Sequence, residues 1–339
     1  MSLISIFRKK NNKLMFTTPS HNGKLCIFHK FYSWYKHDIS ETDAFEPEMH
    51  LREAEINASK IYGTKYTKFL TNGSTSGIIA AILASKIKNI LIWKNAHPCH
   101  KNGSELAGCN ITEYELPFDN ELGVYKAITE NQVAELIKEH NIDGIIITSP
   151  TYEGFVADVE GIANLLHSNN IKLIVDEAHG ALYPFSDNLP KSAVKYADYT
   201  IQSLHKTAGG INPTSLLHSN DNDPKDALAK INTTSPSYPM LTTIEANIRF
   251  LASKKGKQKL ENLITQIKEM NFPKLNDDIT KILIKKTSLS GFELSEILYN
   301  NYNIEDERTN EKSTMLLTGL GTNYKQLIKL KKALNDLNL

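Results

Sequence analysis

The sequence predicts an α/β protein: a mostly parallel central sheet with helices on both faces, plus a small C-terminal α+β domain. Three observations lead there. From about residue 65 to 218, short β-branched runs alternate with amphipathic stretches. The runs are apolar almost throughout, as strands buried on both faces are. Four polar motifs fall at the ends of these runs, the edge where open α/β sheets place their ligands.

In chain order, TKFLT (67–71) reads as a strand and STSGIIAAILASKI as the helix after it. NILIW (Asn89 to Trp93) and the ITEYEL run from Ile111 read as strands, and QVAELIKEH as a helix. DGIIIT (143–148), IKLIVD (171–176) and DYTIQS (198–203) are further strands, with the helix VEGIANLLHSNN between the first two. The stretch from about 242 to 270 is helical and Lys-rich. The remainder has room for two or three helices and short strands. The expected divisions are an N-terminal segment (1–45), a large domain (46–240), and a linking helix with a small domain (241–339).

At 339 residues the chain can bury a large core. Its net charge of +1 argues against a nucleic-acid or anionic-membrane partner. Cys26, Cys99 and Cys109 are unevenly spaced and form no CxxC, so neither a disulfide framework nor a metal site is expected. No apolar run approaches the roughly eighteen residues of a membrane span. At the N-terminus, MSLISIFRKKNNK puts its charges after a short apolar run, the reverse of a signal peptide. A cytoplasmic protein is expected.

The four edge motifs are TNGSTSG, WKNAHPCH, VDEAHGA and IQSLHKT. DEAH is also the box with which some helicases hold magnesium–ATP. Such an ATPase needs a G-x-x-x-x-G-K-[ST] loop. Around Gly23 and Lys24, Thr18 stands where the first Gly should be, and Leu25 where the hydroxyl should be. Lys206 suggests a different chemistry. A lone lysine after a strand is ordinarily a surface residue, but one in a polar cleft has its pKa lowered by burial and can form a Schiff base. That suggests pyridoxal phosphate, whose other needs are present. Gly73 with Ser74, Thr75 and Ser76 opens a helix whose free N–H groups suit a phosphate, although a plain N-cap there is common. Asp176 ends a strand and suits a protonated pyridine nitrogen. His97 could lie against the ring. Each reading alone is weaker than its bland alternative; together, at one edge, they outweigh it.

These residues resemble the Orn/Lys/Arg decarboxylase family, bacterial pyridoxal-phosphate enzymes of the type-I, aspartate aminotransferase-like fold. The matching segments are TPSHNGK (18–24), DISE (38–41), TNGSTSG (71–77), NAHP (95–98), SPTYEG (149–154), VDEAHGA (175–181), FSDNLPKSA (185–193), ADYTIQSLHKT (197–207), TSLLHS (214–219) and TSPSY (234–238). They run in the family's order and cover roughly residues 18 to 257, with a weaker likeness in YNIEDE and the tail. The resemblance implies that Lys206 carries the cofactor, Asp176 partners the pyridinium and His97 stacks on the ring. It gives the phosphate to Ser74, Thr75 and Ser76, with Ser203 and His205 as further contacts. Ala178 and His179 would pack against the cofactor.

It also implies decarboxylation of lysine, ornithine or arginine, in a homodimer or larger homo-oligomer with Ser237 and Tyr238 near the interface. Aminotransferases of this fold instead pin the substrate carboxylate with an Arg. Only Arg8, Arg52, Arg249 and Arg308 are present, and the EDER setting of Arg308 suits a surface ion pair. Transamination and a cofactor-binding homologue without activity stay open. Family members usually continue into a proline-rich stretch near the substrate pocket, which does not occur before Leu339, and Pro213 replaces a common Gln. Asp38, Glu41, Asp43, Glu46 and Glu307 are candidate partners for a substrate's distal cation.

Overall fold

The computed structural model describes residues 14–16 and 49–339. TPSHNGK, DISE, Cys26, Arg8 and the acids Asp38 to Glu46 lie outside the described residues. Seven strands form the central sheet: β1 (Tyr66–Leu70), β2 (Asn89–Trp93), β3 (Asn110–Tyr114), β4 (Gly144–Thr148), β5 (Lys172–Asp176), β6 (Tyr199–Ser203) and β7 (Ser215–Ser219). Their order is β1-β7-β6-β5-β4-β2-β3. β7 runs antiparallel to both its neighbours, and the other pairings are parallel.

Strand periodicity explains why the sheet is covered twice. Leu91, Ile145, Ile147, Leu173 and Val175 face one buried cluster, with Val133, Ile162 and Leu166. Their neighbours Ile90, Ile92, Ile146 and Ile174 face the other, with Ile78, Ala81 and Ile82. A period of two with both phases apolar leaves no face for water. Helices α1 (Met49–Tyr62), α2 (Gly73–Ser85), α3 (Pro98–Leu106), α4 (Glu130–Glu139) and α5 (Val159–Ser168) belong to this part. Asp158 caps α5, and Thr129 with Gln132 forms a capping box on α4. α3 was not legible from hydrophobic period, being largely polar. Its start is fixed by Pro98, whose missing N–H costs nothing in a first turn, and by His97 as N-cap.

The expected helix from 242 to 270 is two: α6 (Tyr238–Ala252) and α7 (Lys254–Glu269). Ser253, extended at φ −73° and ψ 157°, ends the first and caps the second through its hydroxyl to the Gly256 N–H, 3.1 Å away. Beyond it, β8 (Lys281–Ile284), α8 (Gly291–Asn301), β9 (Arg308–Thr309), β10 (Thr314–Leu317) and α9 (Tyr324–Asp336) complete the chain. β8, β10 and β9 form an antiparallel three-stranded sheet in that order. Phe16 is buried in the core of this unit, and Leu14–Met15 pairs with Ile304–Glu305. Among the described residues no helix is long and apolar enough to cross a membrane.

The turn between α6 and α7 depends on a missing side chain. A Cβ on Gly256 would stand 1.8 Å from the Phe250 carbonyl oxygen, which is backbone and cannot swing aside. Gly256→Ala is expected to cost about 1–3 kcal/mol, as overpacking does. Urea denaturation of the two proteins measures it; an unchanged midpoint would show that the helix pair can shift freely.

Candidate active site

The carboxyl ends of β1, β2, β4, β5 and β6 surround a cavity of about 270 Å³. Its wall includes Gly73, Ser74, Thr75, Trp93, His97, Thr148, Tyr152, Asp176, Ala178, His179, Ser203, His205 and Lys206. Nine of the ten residues expected to bind the cofactor therefore meet. Ser76 is the exception: it is buried off the wall, with its hydroxyl turned back to the Gly73 carbonyl at 2.9 Å.

Each strand end contributes a different function. After β1 the chain turns through Gly73, whose φ of +74° suits glycine, and enters α2. Asn72 stands at the N-cap position but makes no side-chain cap, and neither Ser74 nor Thr75 occupies that position. The helix start thus keeps its N–H groups toward the cavity end, where a helix N-terminus favours an anion. Ser74 Oγ lies 2.6 Å from Ser203 Oγ, so hydroxyls from α2 and β6 sit together there.

Asp176 ends β5 and is buried. Burial alone would raise its pKa. His100, Lys206 and the Ala178 N–H more than offset that and hold it below the ordinary carboxylate value. Its Oδ2 is 3.0 Å from His100 Nε2, and its Oδ1 accepts from the Ala178 N–H at 3.1 Å. His100 had escaped sequence reasoning. The available signal was a second histidine three residues after His97, on the first turn of a helix leaving the same edge.

Lys206 lies in the turn after β6. Burial lowers its pKa, and the cation of Lys281 adds to this, while Asp176 and Glu307 act the other way. Its Nζ is 2.9 Å from His179 Nε2. Burial keeps His179 well below its usual range, with the nearby cations helping, so the imidazole is neutral. The Tyr152 ring packs edge-on against it at 4.9 Å. His97 is also neutral: burial lowers its pKa. Its Nδ1 accepts from the Cys99 N–H at 3.3 Å and contacts Cys99 Sγ at 2.9 Å, leaving the proton on Nε2. His205 sets Nδ1 against the Thr214 carbonyl at 3.0 Å, which leaves Nε2 as an acceptor.

Arg308 makes an ion pair at the surface, as its setting suggests: its half-exposed guanidinium pairs with Glu153, Nε to Oε1 at 3.0 Å. It also lies 4.4 Å from the centre of the Tyr152 ring. β9 therefore brings a cation to the cavity's edge through an aromatic residue that sequence reasoning had not singled out. Pro213 lines the cavity as well.

Unmet polar atoms on the cavity wall bear on whether pyridoxal phosphate fits there. Trp93 Nε1 and Thr148 Oγ1, both on the cavity wall, have no hydrogen-bond partner among the described residues. Native proteins rarely bury such atoms without a ligand or water. With a helix start, paired hydroxyls, an ionised carboxylate and a buried lysine, the set fits a phosphorylated, carbonyl-bearing pyridine.

Solved structures share this architecture. The lysine decarboxylase of Francisella novicida superposes with a TM-score of 0.77 at 17% identity, over 98% of this chain. An alanine–glyoxylate aminotransferase from Nostoc sp. gives 0.69 at 13%, over the whole of both chains. The chain belongs to the Orn/Lys/Arg decarboxylase family by its major domain, which matches residues 7–282. An arginine decarboxylase of Bacillus anthracis is 27% identical, over 97% of this chain and 74% of its own length. The chain spans only 58% of the Francisella protein.

The second acid of DEAH has another role. Glu177 is buried and accepts from Ser192 Oγ (2.7 Å), the Ala193 N–H (2.5 Å) and Gln202 Nε2 (2.7 Å). Burial pushes its pKa up to about 7 against those hydrogen bonds. A raised carboxyl pKa contributes stability in full below the unfolded value of 4.5, and that contribution is lost as pH rises through about 7. Between pH 5 and 8 the protein is expected to lose more unfolding free energy than Glu177→Gln, measured by urea titration at both pH values. Parallel losses would mean that Glu177 stays ionised throughout.

Proposed function

We propose that the chain decarboxylates a basic amino acid with pyridoxal phosphate bound through Lys206. The observation that carries this is Asp176: an ionised carboxylate, clamped by His100, on the wall of the cavity that also holds a buried lysine. When bound, the cofactor supplies an electron sink for the bonds at the substrate's Cα. The chain's residues do the rest. Asp176 would hold a proton-bearing ring nitrogen by charge. Ser74, Thr75 and Ser203, with the N–H groups opening α2, would hold the phosphate. His97, neutral and fixed in one tautomer, would form a wall against the ring. Lys206, with its proton affinity lowered, would anchor the cofactor and could take or give a proton at Cα. Glu307, whose charge acts on Lys206, is the candidate partner for a distal cation among the described acids named from sequence. The names of the arginine and lysine decarboxylases it resembles support a basic substrate. A homodimer or larger assembly is part of this reading.

The test is release of CO₂ from arginine, lysine and ornithine by protein loaded with pyridoxal phosphate. Lys206→Ala is expected to lose the visible absorbance of the bound cofactor, and activity by about 10²–10⁴-fold or more. Retention of that absorbance in Lys206→Ala would overturn the assignment.

A second reading, transamination, is favoured by Arg308 at the cavity edge. It predicts amino transfer to a 2-oxo acid, with KM for the amino acid raised about tenfold or more in Arg308→Gln. CO₂ release without 2-oxo acid dependence would exclude it.

A further inference from the structure

Lys281 and Asp278 form an ion pair with both side chains fully buried, and the proposed chemistry uses neither. Lys281 Nζ donates to Asp278 Oδ2 (2.5 Å), Thr280 Oγ1 (3.2 Å) and the His179 carbonyl (3.1 Å), which occupies all three of its protons. Asp278 accepts the Tyr183 hydroxyl on Oδ2 at 2.5 Å, and on Oδ1 the Thr280 N–H (2.8 Å) and hydroxyl (2.7 Å). Buried ion pairs are a poor source of stability compared with apolar packing of similar volume. What this one has is direction. Two of its bonds cross to the segment after β5: one to Tyr183, the other to His179.

His179 stands between this pair and Lys206. Its ring Nε2 is 2.9 Å from Lys206 Nζ, while its buried Nδ1 has no hydrogen-bond partner among the described residues. The ring is held by one polar contact and the edge of Tyr152, so its place depends on its backbone. We propose that Lys281 is a positioning residue: its hydrogen bond to the His179 carbonyl holds the imidazole against Lys206 and so shields Lys206 from water. This rests on Lys206 being the reactive lysine.

The readout is the proton affinity of Lys206 in the full chain without cofactor. It is followed as the pH dependence of acetic anhydride labelling at that peptide, by mass spectrometry. The groups facing Lys206 are His179, Asp176, Glu307, Lys281 and Cys99. Removing Lys281 alone would also remove a charge, so the main variant is neutral for neutral: Lys281→Met with Asp278→Asn. Freed from its anchor, His179 admits water, and the labelling midpoint is expected to rise by roughly 0.5–1 pH unit. With His179→Ala added to both proteins, the shift is expected to fall to less than half. No shift, or an equal shift without His179, overturns the proposal. Should the paired variant fail to fold by circular dichroism, Lys281→Met is measured with and without His179→Ala, and only the part of the shift that disappears with His179 is counted, because the lost charge acts in both proteins. Labelling needs no cofactor, so a failure of Lys206 to bind pyridoxal phosphate would appear separately.

Discussion

A carboxylate that remains charged out of water is the constraint around which the site is built. Asp176 is buried at the end of a strand, where the desolvation cost of an anion runs to several kcal/mol. It stays ionised because His100 and the Ala178 N–H meet its two oxygens from different elements, α3 and the turn after β5. That requirement explains α3, a polar helix of nine residues that sequence period did not reveal. The helix begins at the cavity because His97 must face the cavity and His100, one turn on, must reach back to Asp176.

The same edge sets the opposite demand on Lys206. Burial that threatens the charge of Asp176 usefully weakens the hold of Lys206 on its proton. The two environments differ in what compensates them. Asp176 receives two hydrogen bonds. Lys206 receives a neutral imidazole, with further cations nearby. Both pKa values fall, one by charge and hydrogen bonding and the other by burial, so the acid keeps its charge while the amine holds its proton less tightly.

How much of this could be read from residues alone varies by level. Strands β1 to β6 were legible as short β-branched apolar runs, α4 and α5 by their amphipathic period, and α2 as a long apolar run opened by TNGSTSG. β7 was not, since a five-residue run after a glycine turn resembles a loop, and its antiparallel direction has no signature in sequence. At the site, residues that follow strand ends directly were legible: Asp176, Ser203, Lys206 and His97. Residues that act across the fold were not. His100 needs knowledge of the α3 helix. Tyr152 and Arg308 meet only because the chain returns at β9 to the edge of the sheet. Lys281 looked like one lysine among many, and only the tertiary fold puts it in contact with His179. The break at Ser253 was missed because a serine that caps the second helix also looks acceptable within a long polar helix.

The DEAH box shows why four adjacent letters decided so little. Asp176 and Glu177 are neighbours on a strand end, so their side chains point to opposite sides. One enters the cavity and keeps its charge through His100. The other enters the protein, where three donors hold it and burial still raises its pKa to about 7. Ala178 supplies an N–H to the first acid. His179 turns its ring to Lys206 and its carbonyl to Lys281. A metal–nucleotide site would need acids and hydroxyls converging on one point. Here four consecutive residues go four ways, and the second acid is a structural bolt between β5, β6 and the 192–193 turn. Identity of residue types therefore counts for less than which strand end they leave and which side of the sheet they take.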